Sequence, residues 1–460
     1  MDRNWDLIVV GGGAGGVPAA IRAEQLGGRV LIVESQQLGG QCMNRGCIPF
    51  GHMLEASKFL GSLPVAEEMG IHFTNVSKDF GSLIDRQSRL IDFMRQGVRS
   101  TLMKRGVKVV EGQGKLVGKG TVRVNGMSLS CESVILATGA AWSKPTFPGA
   151  DLEEVVNSDF LLQMKALPGK VLLSGQSPWL LGIAQFLRRY GVQTFLVTPE
   201  KRILPGENKT ISTRLSKALR NEGVEIRTKC CIISATRKSD GLCVDVEVKD
   251  AREKVTVDKL ITVDRTASLR ELGLREIGLD EDSGHIPVNE RMETGVKGVY
   301  AIGDVAGTPE KHYSHLAAQQ GIIAAENAMG KPSVLNPHTL TRVLFTSPEV
   351  ACVGMTEKEA KASGYDVIVG AAPLSMNPFG MMIGESEGLI EIIAEKRFGE
   401  VLGVNFIGRN VAEMAGQGVL AIQLEATLDD LASASFPHPT LSESFVEAAR
   451  NALGKHIYMP

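Results

Sequence analysis

The chain has 460 residues, a formal net charge of -2 at pH 7, and 43% hydrophobic against 22% charged residues. This length exceeds one compact core and predicts about three units, while the composition is typical of a globular α/β protein and excludes a disordered chain. The nearly balanced charge, with no long run of one sign, argues against a nucleic acid or an anionic membrane as a partner and leaves small molecules or proteins.

The N-terminus, MDRNWDLIVVGGG, runs directly into an apolar strand and lacks the regions of a secretory signal, so we expect a cytoplasmic protein. No uncharged stretch is long enough for a membrane span without interruption by proline and glycine. The seven cysteines are odd in number and mostly scattered. This suits a reducing compartment, in which a persistent disulfide is usually catalytic.

The first recognisable unit lies at residues 6–34. An apolar strand (DLIVV) precedes GGGAGG, an alanine-rich helix and a second strand, RVLIVE. Gly11, Gly13 and Gly16 allow a tight turn and a close approach of pyrophosphate to the helix, and Glu34 can accept hydrogen bonds from a ribose. The complete strand–turn–helix–strand context favours a dinucleotide site over the alternative, a glycine turn without a ligand.

Later segments extend the α/β pattern. Residues 52–107 are predicted to be largely helical with a break near His72 to Asp79, and β-rich sequence follows to ATGA at 137–140. From about residue 150, VLLSGQSPWLLGIAQFLRRYGVQTFLVTPE again indicates strand, glycine turn, helix and strand. This segment is therefore predicted to be an internal repeat of the first unit. An antiparallel α+β unit is predicted from about Leu335 to the end.

The loop GGQCMNRGCIP carries Cys42 and Cys47. On a regular helix their Cα atoms would be about 9 Å apart, beyond the roughly 7 Å limit for a disulfide. A disulfide here therefore requires an irregular loop, which Gly46 helps to bend. The alternative is two structural cysteines.

This loop, with ATGA, AIGDVAG at 301–307, the segment FTSPEVACVGMTEKEAKASGYDV from 345 and HPTLSE at 438–443, resembles the pyridine nucleotide-disulfide oxidoreductases, most closely the dihydrolipoamide dehydrogenases. The resemblance spans essentially the whole chain. It implies two Rossmann-like dinucleotide-binding domains of the glutathione-reductase type and a C-terminal α+β dimerisation domain. The implied division is an FAD-binding domain in two parts (1–148 and 268–335), a degenerate NAD-type domain (149–267) and a dimerisation domain (336–460).

The resemblance also implies the site. Cys47 would lie against the flavin, Cys42 would exchange with a small dithiol or lipoyl-like substrate, and His438 with Glu443 would come from the other subunit of a homodimer. A histidine of near-neutral pKa oriented by a carboxylate suits thiol chemistry. The predicted FAD contacts are Gly11, Gly13, Gly16, Glu34, Gly40, Gln41, Gly114, Thr138, Gly139, Asp304 and His315; no metal site is predicted.

Three further expectations concern individual residues. Pro439 is predicted to lie in the first turn of the closing helix, and Phe436 is predicted to make the entrance more apolar than in relatives. The cysteines without a motif are predicted to be buried and structural: Cys131, Cys230, Cys231, Cys243 and Cys352.

The second dinucleotide unit departs from the family. The three expected glycine positions carry Gly175, Ser177 and Leu180. Thr198 stands where relatives have the acid that holds the NAD ribose. Lys201 and Arg202 are the only cations where a 2′-phosphate would lie, and VDRTAS places Asp264 near the expected phosphate or nicotinamide contacts.

A lysine and a glutamate that pair near the flavin in relatives are both absent, their positions being Gly51 and Gly182. Losing both avoids leaving one buried charge unpaired. The two glycines open the nicotinamide face unless Trp179 fills it.

These departures predict a protein that keeps the thiol half-reaction and has lost, or rebuilt, the NAD(P) half-reaction. Its second partner would be an electron-carrier protein, a quinone or another thiol. One alternative is an NAD-linked dihydrolipoamide dehydrogenase with changed contacts. The other is a structural or binding subunit stabilised by FAD, which the presence of Cys42, Cys47, His438 and Glu443 disfavours.

Overall fold

The computed structural model describes residues 5–175, 177–248, 251–306 and 313–459. Its helices are α1 (Gly16–Gln25), α2 (Gly40–Arg45), α3 (Cys47–Glu68), α4 (Phe80–Lys104), α5 (Trp179–Arg189), α6 (Lys209–Asn221), α7 (Ser314–Ala328), α8 (Glu357–Ala362), α9 (Pro378–Met382), α10 (Val411–Gln423), α11 (Leu428–Ser433) and α12 (Glu443–Ala452). Its strands are β1 (Trp5–Val10), β2 (Val30–Glu34), β3 (Lys108–Glu111), β4 (Lys115–Gly118), β5 (Thr121–Val124), β6 (Met127–Leu136), β7 (Ala140–Trp142), β8 (Val155–Asn157), β9 (Lys170–Ser174), β10 (Gln193–Thr198), β11 (Glu225–Thr228), β12 (Cys230–Lys238), β13 (Gly241–Val248), β14 (Ala251–Val257), β15 (Lys259–Thr262), β16 (Arg265–Ala267), β17 (Val299–Ala301), β18 (Thr341–Leu344), β19 (Glu349–Gly354), β20 (Val367–Pro373), β21 (Leu389–Glu395) and β22 (Val401–Gly408).

The first sheet has the strand order β3-β2-β1-β6-β5-β4, and β17 also pairs with β6. Pairs β1–β2, β2–β3, β1–β6 and β6–β17 are parallel, whereas β4–β5 and β5–β6 are antiparallel. β2 is buried along its whole length because helices and loops cover both faces of a parallel sheet. The glycine turn after β1 and the carboxylate that ends β2 therefore meet at one edge of this sheet, as ligand sites of such sheets do.

The second sheet is entirely parallel in the order β11-β10-β9-β15-β8, and an antiparallel sheet β12-β13-β14 accompanies it. The strand–turn–helix–strand repeat predicted from the sequence is present as β9, α5 and β10. The two short strands β7 and β16 pair antiparallel and connect the two parallel sheets.

The C-terminal sheet is antiparallel in the order β18-β19-β22-β21-β20. Its buried residues pack with those of α10 and α12. The α/β fold class with two dinucleotide-type sheets and a C-terminal α+β unit is thus confirmed. None of the helices described has the length and apolar character needed to cross a membrane.

One hydrophobic core joins all three regions. Phe50 and Leu54 of α3 and Leu180 of α5 share it with Leu344 and Ile407 of the C-terminal sheet. Polar contacts reinforce the same junction. The side-chain amide of Gln185 donates a hydrogen bond to the carbonyl oxygen of Ser347 at 2.6 Å and accepts one from its N–H at 2.7 Å. Helix α5 is therefore held between α3 and the C-terminal sheet.

Candidate active site

A cavity of about 760 Å³ opens at the edge of the first sheet where β1 and β2 end. Its volume is in the usual range of cofactor and ligand sites. Most of the predicted FAD contacts line it, namely Gly11, Gly13, Glu34, Gly40, Gln41, Gly114, Thr138, Gly139 and Asp304. Cys42 and Cys47 lie in its wall as well, so the sequence-predicted cofactor cradle and thiol pair share one cavity.

Two glycines of the turn have no room for a side chain. Gly11 has a φ of +107°, and a Cβ there would lie 2.3 Å from the carbonyl oxygen of Ala137. A Cβ at Gly16, which does not line the cavity, would lie 1.8 Å from the carbonyl oxygen of Gly11. Gly16 thus lets α1 approach the strand closely, which leaves the helix N-terminus directed at the cavity.

Glu34 is fixed by the backbone around the turn. Its Oε2 accepts from the Gly12 N–H at 2.6 Å and its Oε1 accepts from the Gln36 N–H at 2.7 Å. The side chain is only 7% exposed, yet it lines the cavity. A carboxylate held in this way at a strand end is suited to accept ribose hydroxyls.

His315 does not join this group. The residue is exposed, and its Nε2 lies 2.8 Å from the carbonyl oxygen of Thr341. Ser314, one position earlier on α7, lines the cavity instead, because successive helical residues point about 100° apart. A cofactor role for His315 therefore stays a prediction, and the geometry does not support it.

The redox loop is two helices rather than one. α2 ends at Arg45, Gly46 has φ -128° and ψ -110°, and α3 begins at Cys47. The break at Gly46 brings the two thiols, which belong to different helices, into hydrogen-bonding contact. Both are partly buried. The irregular loop that the five-residue spacing requires is thus present.

The two thiols titrate as a pair. The hydrogen bond with Cys42 is the largest influence that lowers the pKa of Cys47, to about 7, and the Ser314 hydroxyl and the Arg265 charge add to it against the effect of burial. The same hydrogen bond, followed by burial and the Cys47 charge, raises the pKa of Cys42 far above its usual range. The first proton to leave the reduced pair is therefore that of Cys47, and the single negative charge is centred on its sulfur.

Arg265 is a site residue that the sequence reasoning missed. Its Nη1 lies 3.2 Å from Asp304 Oδ2, and its guanidinium lies over the Trp142 ring, 5.9 Å from the centroid. Asp304 thus lines the cavity as predicted but is held by this ion pair. The segment VDRTAS contained the signal, since its arginine is the first residue of β16, three positions after the end of β15.

His438 and Glu443 form a pair at the start of α12. His438 Nδ1 lies 2.9 Å from Glu443 Oε1, while Glu443 Oε2 accepts from the Thr440 N–H at 2.9 Å. The imidazole is exposed, and it is not among the residues that line the cavity of its own chain. The pair therefore lies at the surface of the chain, outside this cavity.

One expectation near this pair was wrong. Pro439 follows a cis peptide bond and lies outside α12, which begins only at Glu443. Phe436 packs, partly buried, against Phe445 with ring centroids 6.4 Å apart and does not line the cavity of its own chain. Its effect on an entrance shared with a second subunit stays a prediction.

Side chains border the glycine turn of the second unit. Leu180 is 2% exposed, and its Cδ1 lies 3.3 Å from the Cβ position of Gly175. Asp264 Oδ1 lies 2.9 Å from the same position, as the sequence reading placed it. Thr198 is buried and its hydroxyl accepts from the Glu200 N–H at 3.3 Å.

The side chain of Arg202, in the loop after β10, is hydrogen-bonded to the backbone of the same loop. Arg202 Nη2 donates to the carbonyl oxygens of Pro205 and Glu207, at 2.8 and 2.7 Å. Glu207 is in turn paired with Arg342 of β18 at 2.7 Å. This loop is therefore tied to the C-terminal sheet.

Gly51 and Gly182 do not open the cavity, because neither lines it. A Cβ at Gly182 would lie 3.1 Å from Leu54 Cδ1, so a leucine of α3 fills the space beside this glycine. The cavity wall on this side is apolar and includes Phe50, Trp179 and Ile183. Trp179 lines the cavity next to Phe50 and Ile183, and that it fills the nicotinamide face stays a prediction.

The remaining cysteines follow the prediction with one exception. Cys131, Cys230, Cys243 and Cys352 are buried, whereas Cys231 is exposed. Neighbouring residues of a strand point to opposite faces, which is why the adjacent Cys230 and Cys231 differ. The described part of the chain holds no histidine, cysteine or carboxylate cluster suited to a metal ion.

Comparison with known proteins assigns the family. Residues 5–330 match the family model described as "Pyridine nucleotide-disulphide oxidoreductase", and residues 340–449 match its dimerisation domain. A dihydrolipoyl dehydrogenase of Thermus scotoductus is 37% identical over 456 residues, 97% of each chain, and one of Bacillus subtilis is 34% identical over 478 residues, 100% of each chain. The chain belongs to the pyridine nucleotide-disulphide oxidoreductases.

Solved structures show the same fold. LpdA from Mycobacterium tuberculosis superposes with a TM-score of 0.89 at 24% identity, over 96% of this chain and 99% of that one. The HOCl-induced flavoprotein disulfide reductase RclA from Escherichia coli gives a TM-score of 0.85 at 23% identity, over 98% and 99%. Family and relatives together make the chain a flavin disulfide oxidoreductase resembling dihydrolipoamide dehydrogenase.

Proposed function

We propose that this enzyme exchanges electrons between a small dithiol, of the lipoyl type, and FAD through Cys42 and Cys47, and that it does not use NAD(P) in the usual way. The observation that carries the first part is the position of both thiols in the wall of the cavity formed by the glycine turn. The tight turn at Gly11 and the carboxylate of Glu34 fit the pyrophosphate and ribose of a dinucleotide. FAD, when bound, supplies a two-electron acceptor or donor.

The thiol step needs only the protein and the dithiol. One substrate sulfur attacks the sulfur of Cys42 in the Cys42–Cys47 disulfide and releases Cys47 as the thiolate; the second substrate sulfur then displaces Cys42. The substrate becomes a disulfide and the protein pair becomes a dithiol carrying one negative charge. The low pKa of Cys47 makes it the better leaving group. We assign two roles to His438, which Glu443 orients: it accepts the proton that leaves the substrate, and it donates the proton that Cys42 receives.

The second part rests on side chains that stand where a nicotinamide dinucleotide would be held. Leu180 occupies the helix–strand contact beside Gly175, and no carboxylate ends β10, where Thr198 is buried. Arg202 is already bonded to two carbonyl groups. We therefore propose an electron-carrier protein, a quinone or another thiol as the second partner.

The family's pyridine-nucleotide character keeps one other candidate, an NAD-linked dihydrolipoamide dehydrogenase with changed contacts. The retained turn at Gly175, with a φ of +146°, favours it. The decisive experiment is an anaerobic titration of the enzyme with dihydrolipoamide, NADH and NADPH in parallel. Failure of dihydrolipoamide to produce a long-wavelength thiolate–flavin band would overturn the thiol function itself.

We further propose the division into FAD-binding parts 1–148 and 268–335, a degenerate NAD-type part 149–267 and a dimerisation part 336–460. The dimerisation domain supports a homodimer. In such a dimer, His438 would approach the Cys42–Cys47 pair of the partner subunit. Its exposure and its place outside its own cavity support this arrangement.

Substituting Glu34→Gln should weaken FAD binding about 10- to 100-fold, since a hydrogen bond to a charged acceptor contributes roughly 1.5–3 kcal/mol. The amide keeps one acceptor oxygen, but its NH2 group replaces the other and faces a backbone N–H that donates a hydrogen bond to the carboxylate of the wild type. FAD content per chain after extended dialysis measures the effect. Glu111→Gln, on the exposed end of β3, is the matched control. Equal retention of FAD in both variants would refute the role of Glu34.

His438→Gln should lower dithiol turnover about 10²- to 10⁴-fold, the usual contribution of a general acid–base. If the site spans two subunits, mixing it with inactive Cys47→Ser under conditions of subunit exchange restores roughly one quarter of wild-type activity, because half of the dimers are mixed and each has one intact site. Separately measured FAD content verifies folding. Mixed dimers without activity would place His438 and Cys47 of the same subunit in one site.

A further inference from the structure

Two helix N-termini meet at the sulfur of Cys47. Cys47 is the first residue of α3, and Ser314 is the first residue of α7. Ser314 Oγ lies 3.2 Å from Cys47 Sγ, and both residues line the cavity. A hydroxyl is therefore in direct contact with the thiol that the proposed function places against the flavin.

We propose that Ser314 is a positioning residue that donates a hydrogen bond to the Cys47 thiolate and thereby sets the pH at which the reduced pair becomes a monoanion. The inference rests on the proposed dithiol function. A thiolate has no proton to give, so the hydroxyl must donate and the sulfur must accept. Hydrogen bonds with an ionised partner are the stronger ones and favour the charged form.

The other groups around this sulfur define what Ser314 adds. Cys42 of α2 gives the larger hydrogen bond, and the positive charge of Arg265 on β16 acts at longer range. Arg265 is paired with Asp304, which reduces the net charge that faces the sulfur. Ser314 also lowers the pKa of Cys42, so its hydroxyl stabilises the single charge of the pair as a whole while contacting Cys47 directly.

The test uses the FAD-bound dimer with Ser314→Ala and Ser314→Thr. In the dithiol-reduced enzymes, the long-wavelength absorbance should rise with pH as Cys47 ionises. We expect the midpoint of Ser314→Ala to lie roughly one pH unit above that of the wild type, a tenfold lower thiolate-to-thiol ratio at a given pH. Ser314→Thr keeps the hydroxyl and should restore the midpoint to near the wild-type value.

A second readout does not depend on the flavin band. In a Cys42→Ser background, which leaves one thiol in the pair, the pH dependence of iodoacetamide alkylation at Cys47 should show the same upward shift when Ser314→Ala is added. Equal midpoints with and without the hydroxyl overturn the proposal. So does a changed spectrum of the oxidised flavin with an unchanged midpoint, because the hydroxyl would then serve the flavin.

Different results would contradict the proposed dithiol function and the role of Ser314. If wild-type enzyme gives no band with dihydrolipoamide, the proposed function fails, and the alkylation midpoints still decide the role of Ser314. If the band forms and the midpoints coincide, only the Ser314 inference fails. FAD content and dimer mass of each variant verify that the fold is retained.

Discussion

Cys47→Ser is expected to abolish the thiolate–flavin band and to lower dithiol turnover by roughly 10³-fold or more, since the residue is a covalent participant in exchange. FAD should remain bound, because the glycine turn and Glu34 do not depend on the sulfur. Serine is nearly isosteric with cysteine, and the start of α3 should be preserved. Stopped-flow absorbance after mixing with dihydrolipoamide measures both effects.

Two companion variants sharpen this prediction. Cys42→Ser should block turnover equally but leave Cys47 able to form the thiolate, because Cys47 keeps the Ser314 hydroxyl 3.2 Å from its sulfur. The apparent pKa of Cys47 should then rise above about 7, since the hydrogen bond with Cys42 is the main cause of its low value. Cys231→Ser, on the exposed face of β12, should match the wild type. A full band in Cys47→Ser would refute the assignment of that residue to the flavin side.

NADH and NADPH are expected to reduce the flavin at least about 100-fold more slowly than dihydrolipoamide, because two lost charge-assisted contacts of roughly 1.5–3 kcal/mol each would account for that factor or more. The missing contacts are the ribose carboxylate at Thr198 and the close backbone approach to pyrophosphate at Ser177. Anaerobic stopped-flow mixing with each reductant gives the rates. Rapid bleaching by NADH would establish an NAD-linked enzyme instead.

A gain-of-function variant tests the same explanation from the other direction. Ser177→Gly together with Thr198→Glu restores a glycine and the acid at positions expected from the family. Ser177 already lines the cavity, so this glycine removes no buried packing. NADH-dependent reduction should rise at least about tenfold, the equivalent of 1.4 kcal/mol. Ser177→Gly with Thr198→Gln omits the charge and should recover less.

Local sequence patterns were enough for the first nucleotide site. The turn containing Gly11 and the acid Glu34 belong to one strand–helix–strand segment, whose geometry is set by short-range constraints. The break at Gly46 was also predictable, since a regular helix cannot bring Cys42 and Cys47 together. The alternation of strands and helices predicted the parallel sheets in the same way.

Contacts between distant segments were beyond such patterns. The Arg265–Asp304 pair joins β16 to the turn after β17, and the Cys47–Ser314 contact joins two helices far apart in the chain. His315 lies outside the cavity that Ser314 lines, because a one-residue change of position on a helix moves a side chain to another face. The exposure of Cys231 likewise depends on which face of β12 is covered.

The core shared by α3, α5 and the C-terminal sheet has an evolutionary consequence. Leu180, Leu54 and Ile407 belong to one buried cluster, and Gln185 ties α5 to the backbone of Ser347. Deleting the second unit would expose this cluster to water, and each large apolar side chain so exposed costs roughly 1.5–3 kcal/mol. A lineage that abandons the pyridine nucleotide can therefore alter the ligand-binding residues of this unit, but it cannot shorten the gene by removing it.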